Sequence, residues 1–245
     1  MLDRALDVLF PPRCAGCGGA AWPFCDRCGA ALRALSPPWC ERCGAPTPQP
    51  ATSCGDCPPD VIAVARAPFA FEGPARAAVH HLKYRGVRGV GAALAGAMAT
   101  CAPAGADVVT WVPLARKRKA ERGFDQAKVL AVRVARELDI PARGLLRRTV
   151  STSPQAMRDA FERREAMRCS FTVYGRARVP ASVLLVDDVL TTGATAAACA
   201  EVLLEAGAAR VSLVAAARAL LRTGPRAYTR PGPRPGLWLP GDDPR

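Results

Sequence analysis

The chain has 245 residues, half of them hydrophobic, with 34 Lys and Arg against 21 Asp and Glu and a formal net charge of +13. That much apolar content supports a sizeable core and excludes disorder over most of the length, while no apolar run reaches the roughly 18 residues of a membrane span. The length suits one large domain or an ordinary domain with a small appendage, and the charge predicts an anionic ligand or partner.

In chain order, Met1 to Phe10 carries Asp3, Arg4 and Asp7 and has no signal-peptide core, so the protein is expected in the cytoplasm. Thiols stay reduced there, which makes metal binding a better reading of the cysteines than disulfides. Eight of the eleven cysteines precede residue 58 as four CxxC pairs, Cys14/Cys17, Cys25/Cys28, Cys40/Cys43 and Cys54/Cys57. Two CxxC turns complete one tetrahedral Cys₄ site, so eight ligands predict two structural Zn²⁺ ions. Spacing does not fix the pairing; sequential sets (14/17/25/28 and 40/43/54/57), which need only short loops, are expected, with a cross-braced arrangement as the alternative. Gly18, Gly29 and Gly44 follow three of the turns and suit tight zinc knuckles. A region this small and this poor in apolar residues is expected to fold only around its metals. Cys101, Cys169 and Cys199 stand alone and are expected as buried fillers.

Pro37-Pro38 separates the halves of this region, and Pro58, Pro59 and Pro68 mark the way out of it. Val61 to Phe71 reads as a strand, Glu72-Gly73-Pro74 as a turn, and Ala75 to Tyr84 as a helix ending at Gly86. His80 and His81 lie on that helix without metal spacing. Residues 89–101 form an Ala/Gly-rich helix and Asp107 to Val112 a strand. A dense basic stretch follows, with Arg116, Lys117, Arg118, Lys119 and Arg122. Residues 113–168 hold fifteen Lys and Arg against seven Asp and Glu, so this stretch supplies +8 of the net +13. A phosphorylated ligand accounts for such a patch, and so does single-stranded nucleic acid tracking a basic groove. Phe124 and Phe161 are its only aromatic residues, and both are expected in the core.

Val183 to Val186 is a continuous branched apolar run, the pattern of a parallel strand covered on both faces. Asp187 and Asp188 follow where that strand is expected to end, then a short loop with Thr191, Thr192, Gly193 and Thr195. Ala194 to Glu205 reads as a helix stopped by Gly207. A strand, acidic pair, small-residue loop and helix start form a ligand site at the carboxyl edge of an open α/β sheet. Backbone N–H groups around Gly193 and Ala194 and the helix N-terminus favour a phosphate, and the three threonine hydroxyls can donate to it. The carboxylates suit vicinal ribose hydroxyls, or an Mg²⁺ beside them. From Gly224 onward Pro and Gly fill 10 of the last 22 positions, so 222–245 is expected to be a disordered tail.

Asp187 to Thr195 resembles the phosphoribosyl pyrophosphate loop of type I phosphoribosyltransferases. With the CxxC pairs, Leu82-Lys83-Tyr84-x-Gly86, Val112-Pro113-Leu114, Arg122-Gly123-Phe124-x-Gln126 and Gln155 within Thr-Ser-Pro-Gln, the chain resembles the ComF/GntX family. The resemblance implies an α/β fold: a type I phosphoribosyltransferase-like parallel sheet over 60–221, preceded by a double zinc-ribbon region over 1–59. It implies phosphoribosyl pyrophosphate with Mg²⁺ as ligand, Leu114, Ala115, Arg116, Lys117 and Arg118 with Arg122 as a pyrophosphate-holding basic loop, and Lys83 as a residue reaching the phosphates. It also implies a role in single-stranded DNA uptake or processing in competence, beside a competence helicase. An active Mg²⁺-dependent phosphoribosyltransferase is the second expectation; no base-recognition hood is visible. Asp125 and Ala166, where the family pattern has asparagine, fit a third, a non-catalytic adaptor.

Overall fold

The computed structural model describes residues 13–85, 88–149, 168–175 and 178–220. Gly86, the Thr152–Gln155 segment, Phe161, Arg163, Arg164, Ala166 and the expected disordered tail lie outside these residues. The cysteine-rich part carries one short helix, α1 (Asp26–Ala30), and the rest runs β1 (Ala65–Arg66), β2 (Phe69–Ala70), α2 (Gly73–Arg85), α3 (Arg88–Cys101), β3 (Val108–Trp111), α4 (Arg116–Arg122), α5 (Gln126–Glu137), β4 (Leu146–Arg148), β5 (Phe171–Val173), β6 (Ser182–Leu190), α6 (Ala194–Glu205) and β7 (Arg210–Arg218).

The main sheet is parallel throughout, in the order β1-β7-β6-β3, with β2 pairing farther along β7. β6 is its centre, with Val183 opposite Val108 on one side and Val211 on the other. Successive side chains of a strand face opposite ways. Val183 and Leu185 therefore pack with Leu213 under α6, while Leu184 and Val186 pack with Val214 against α2, α3 and α5. All four residues of the run are essentially inaccessible. Helices cover both faces, which is why the run is unbroken; truncating any of its two leucines should cost about 2–5 kcal/mol. β4 and β5 form a separate antiparallel pair.

Several elements differ from expectation. β6 does not stop at the acidic pair. It continues to Leu190, because Val189 and Leu190 keep pairing with Ala217 and Arg218 of β7. The strand expected over Val61 to Phe71 is reduced to β1 and β2, broken at Ala67-Pro68, since proline brings no ladder N–H. The carbonyl of Pro68 instead accepts from Leu35 N (2.9 Å), Ala70 N donates to Arg33 O (2.9 Å), and Ala34 bridges Phe69, so a stretch of the cysteine-rich region lies along this sheet edge. Gly73-Pro74, expected in a turn, opens α2, where proline's fixed φ suits a first helical turn. The basic stretch is a helix, α4, rather than a loop. Lys, Arg, Ala and Glu are good helix formers, and Gly123 at φ 76° ends it. Cys199 is buried as expected and Cys101 half-buried, whereas Cys169 is exposed. Among the described residues no helix is long and apolar enough to cross a membrane.

Candidate zinc and phosphate sites

The eight ribbon cysteines assemble into two quartets, Cys14/Cys17/Cys25/Cys28 and Cys40/Cys43/Cys54/Cys57, each with its Sγ atoms within 4.8 Å of one another. This is the sequential pairing. Four thiolates about 2.3 Å from one tetrahedral zinc lie about 3.8 Å apart. The Sγ separations match: 3.8 Å for Cys17–Cys25, 3.6 Å for Cys40–Cys57, 3.5 Å for Cys43–Cys54 and 3.9 Å for Cys54–Cys57. The two first turns repeat one backbone pattern. Gly18 N and Gly44 N donate to Cys14 O and Cys40 O at 2.8 Å, with both glycines at positive φ. Gly29 differs, for it lies within α1. Burial pushes the Cys14 thiol up, but N–H groups of Cys17, Cys25 and Gly16 outweigh it and hold the thiol at about 6, a thiolate-favouring setting. The residues fit structural zinc in both quartets.

The second site lies at the carboxyl end of β6. Asp187, Thr191, Thr192, Gly193, Ala194 and Thr195 line a cavity of about 60 Å³ at the start of α6. Gly193 takes φ 75°, a left-handed conformation that lets the chain turn from β6 into α6. Thr192 Oγ1 accepts from Ala194 N (3.4 Å), and the first amides of this 12-residue helix face the loop.

The two carboxyl groups are not equivalent. Asp188 is buried and fully engaged: Lys83 Nζ pairs with its Oδ1 at 2.9 Å, and Gln126 Nε2 donates to its Oδ2 at 2.8 Å. Asp187 lines the cavity, and its Oδ1 accepts from Asp188 N (2.8 Å). Burial, followed by the charge of Asp188, raises the Asp187 pKa to about 8. The shift favours the protonated carboxyl, which can donate as well as accept, beyond the acceptor role expected from sequence. Lys83 therefore stands at the site on an ion pair.

The basic helix starts where β3 ends, beside β6. Arg116, Lys117, Arg118, Lys119 and Arg122 belong to it and no α4 residue is buried, while Leu114 and Ala115 connect it to β3. Its far end is tied to α2, with the Arg122 guanidinium 5.1 Å over the Tyr84 ring, next in sequence to Lys83. Asp125 does more than add charge. Its Oδ1 accepts from Lys128 N (3.3 Å) as the N-cap of α5, and its Oδ2 accepts from Leu114 N (3.2 Å). One asparagine oxygen could not serve two donors on opposite sides in the same way.

Three residues at these sites were not singled out from sequence as functional. Gln126 stood in a quoted motif, yet its bond to Asp188 spans 62 positions. Its Oε1 is buried without a partner. Arg218 is the charge closing the buried run Val211 to Ala217, and Pro58 follows the last zinc ligand. A buried arginine at a strand end was a readable signal; its partners were not.

Together these features define a protein class: an α/β domain with a parallel sheet, joined to an N-terminal Cys₄ zinc-ribbon region. Residues 5–58 match the family described as double zinc ribbon domain. The chain is 36% identical over 115 residues to DNA utilization protein YhgH of Escherichia coli O157:H7, covering 44% of this chain and 47% of the relative. It is 35% identical over 102 residues to competence protein ComFC of Bacillus subtilis, covering 42% and 40%. The matched stretch thus spans less than half the length of either relative. A solved structure titled as the allosteric regulatory enzyme of purine biosynthesis is similar at 24% identity and TM-score 0.40, over 53% of this chain and 26% of that one. Over these stretches the chain is similar to proteins named for DNA utilization and competence.

Proposed function

We propose that the protein binds phosphoribosyl pyrophosphate, or a related ribose phosphate, in the Asp187 to Thr195 loop, with Mg²⁺ accompanying the pyrophosphate. The observation that carries this reading is the cavity between the end of β6 and the start of α6, lined by the first helical turn and three threonines together with a carboxyl group. The loop amides and Thr191, Thr192 and Thr195 hold the 5-phosphate. Asp187 meets the ribose hydroxyls, and Asp188, clamped by Lys83 and Gln126, fixes the strand end that carries it. The cations of α4, with Arg122 tethered over Tyr84, are the donors proposed for the pyrophosphate, because dense cationic donors are what that group requires. With this reading goes a division into a ribbon region (1–59), a ligand-binding domain (60–221) and a tail (222–245), working in the cytoplasm.

Titration calorimetry with phosphoribosyl pyrophosphate and Mg²⁺ tests it. Binding to the wild type that falls at least tenfold in Asp187→Ala is expected; no binding, or equal binding by the variant, removes the site. Pyrophosphate release with a panel of bases then separates an Mg²⁺-dependent phosphoribosyltransferase from a binder or adaptor.

A role in handling single-stranded DNA, alongside a competence helicase, is favoured by one specific feature. Tyr84 is 62% exposed, with the Arg122 guanidinium 5.1 Å from its ring centroid and the His80 ring tilted against it at 4.5 Å, which adds an aromatic platform to the basic helix. A single-strand shift assay should lose affinity steeply with salt and on Tyr84→Ala. A flat salt response or an unaffected variant excludes it.

A further inference from the structure

The second zinc quartet is built onto the Gly193 loop. Pro58 follows the ligand Cys57, and a Cβ placed on Gly193 would lie 2.6 Å from the Pro58 Cβ and 3.5 Å from its Cα. Loop and ribbon are therefore in van der Waals contact at the one loop residue that must stay glycine. Pro58 is itself held: Arg42 Nη2 donates to its carbonyl (2.6 Å), and Arg42 Nη1 pairs with Asp60 (2.7 Å). Arg42 lies between Cys40 and Cys43, inside the first ligand turn.

A second connection runs through Arg218. Only 1% exposed, it ends β7, where its backbone pairs with Leu190, the residue preceding the loop. Its guanidinium donates to Cys43 O (3.0 Å) and Asp56 O, carbonyls within the two ligand turns of the second quartet. No carboxylate pairs with it among the described residues. A buried arginine needs a counter-charge, and four thiolates around one Zn²⁺ carry a net charge of −2. With zinc bound, the quartet would supply that counter-charge to Arg218. The first quartet meets different ground, at α2, where His81 Nδ1 contacts Ala15 O (3.1 Å).

We propose that Pro58 and Arg218 are positioning residues that couple the Cys40/Cys43/Cys54/Cys57 quartet to the Gly193 loop, so that metal in this quartet, and not in the first, sets the loop's conformation and its phosphate affinity. The affinity half rests on the phosphate-binding reading; the conformational half stands without it. Hydrogen exchange of the 191–195 amides, zinc content and calorimetry with phosphoribosyl pyrophosphate and Mg²⁺ are measured on the full chain. Cys54→Ser/Cys57→Ser and Arg218→Met should each speed exchange across 191–195 and weaken binding about tenfold, a typical coupling between sites. Cys17→Ser/Cys25→Ser should leave exchange in the loop unchanged. Pro58→Ala, with both zinc ions retained, should speed exchange at Gly193 and its neighbours, and decides the matter if the other variants do not fold. Unchanged loop exchange in Pro58→Ala, or equal acceleration by first-quartet and second-quartet variants, overturns the coupling. A wild type that ignores the ligand, yet shows the asymmetric exchange, overturns the phosphate reading and leaves the coupling standing.

Discussion

Lys83 and Asp188 form the pair on which the β6 end depends, and removing the cation alone should be costly. The Nζ–Oδ1 distance is 2.9 Å, with side-chain exposures of 23% for Lys83 and 9% for Asp188. At that separation the attraction is about 6 kcal/mol for an effective dielectric of about 20, before the loss of hydration is subtracted. Lys83→Met leaves the buried carboxyl with Gln126 as its one remaining side-chain partner. Breaking a buried pair this way costs about 3–5 kcal/mol, and the water access retained around residue 83 should reduce this to about 2–3 kcal/mol. Urea denaturation at pH 7 reads the loss as a lower midpoint with an unchanged slope. Adding Asp188→Asn in the same chain removes the orphaned charge and should restore at least half of it. A cost under about 0.5 kcal/mol for Lys83→Met, or strictly additive losses in the double variant, would refute the buried-pair argument.

The Asp187 carboxyl, raised from 3.8 to about 8, binds its proton more tightly in the fold than in the unfolded chain, so its contribution is complete below about pH 4 and is lost as pH rises through about 8. Asp187→Asn should flatten the corresponding fall in urea midpoint between acidic and mildly alkaline buffer; an unchanged slope counts against the raised value. Asp125→Ala removes acceptors from both Lys128 N and Leu114 N and should destabilise by about 1–2 kcal/mol, while Asp125→Asn, keeping one oxygen, should lose about half of that in the same denaturation assay. Metal analysis should find about two zinc ions per chain, and a strong chelator should unfold residues 13–57 in circular dichroism and proteolysis; retention of structure after complete zinc removal would contradict a metal-dependent ribbon.

The parts of this molecule that were legible in the sequence are those encoded over short distances. Val183 to Val186 announced a strand covered on both faces, and the helix from Ala194 to Glu205 has the boundaries its composition and Gly207 predict. The eight zinc ligands were readable from the CxxC repeat, but their pairing was not, because all four turns look alike. The length of β6 was misread because two adjacent carboxylates look like a strand end; pairing of Val189 and Leu190 with β7 overrides that local signal. The division of labour between Asp187 and Asp188 was out of reach, since it is set by Lys83 and Gln126, 105 and 62 residues away. The helicity of Arg116 to Arg122 was available from propensity and was obscured by reading its charge first.

The strand broken at Pro68 has a consequence for solubility. A parallel sheet exposes unpaired N–H and C=O groups at its margins, an open template for another chain. Here the segment at Arg33 to Leu35, between the two cysteine quartets, covers β2, and residues 141–143 cover β3 at the other margin, with Val109 N donating to Pro141 O and Arg143 N to Val109 O at 2.9 Å. The zinc ribbons therefore act as a sleeve over one sheet margin. A chain stripped of metal would meet its neighbours with that margin bare, and would self-associate before its sheet domain had lost its own fold.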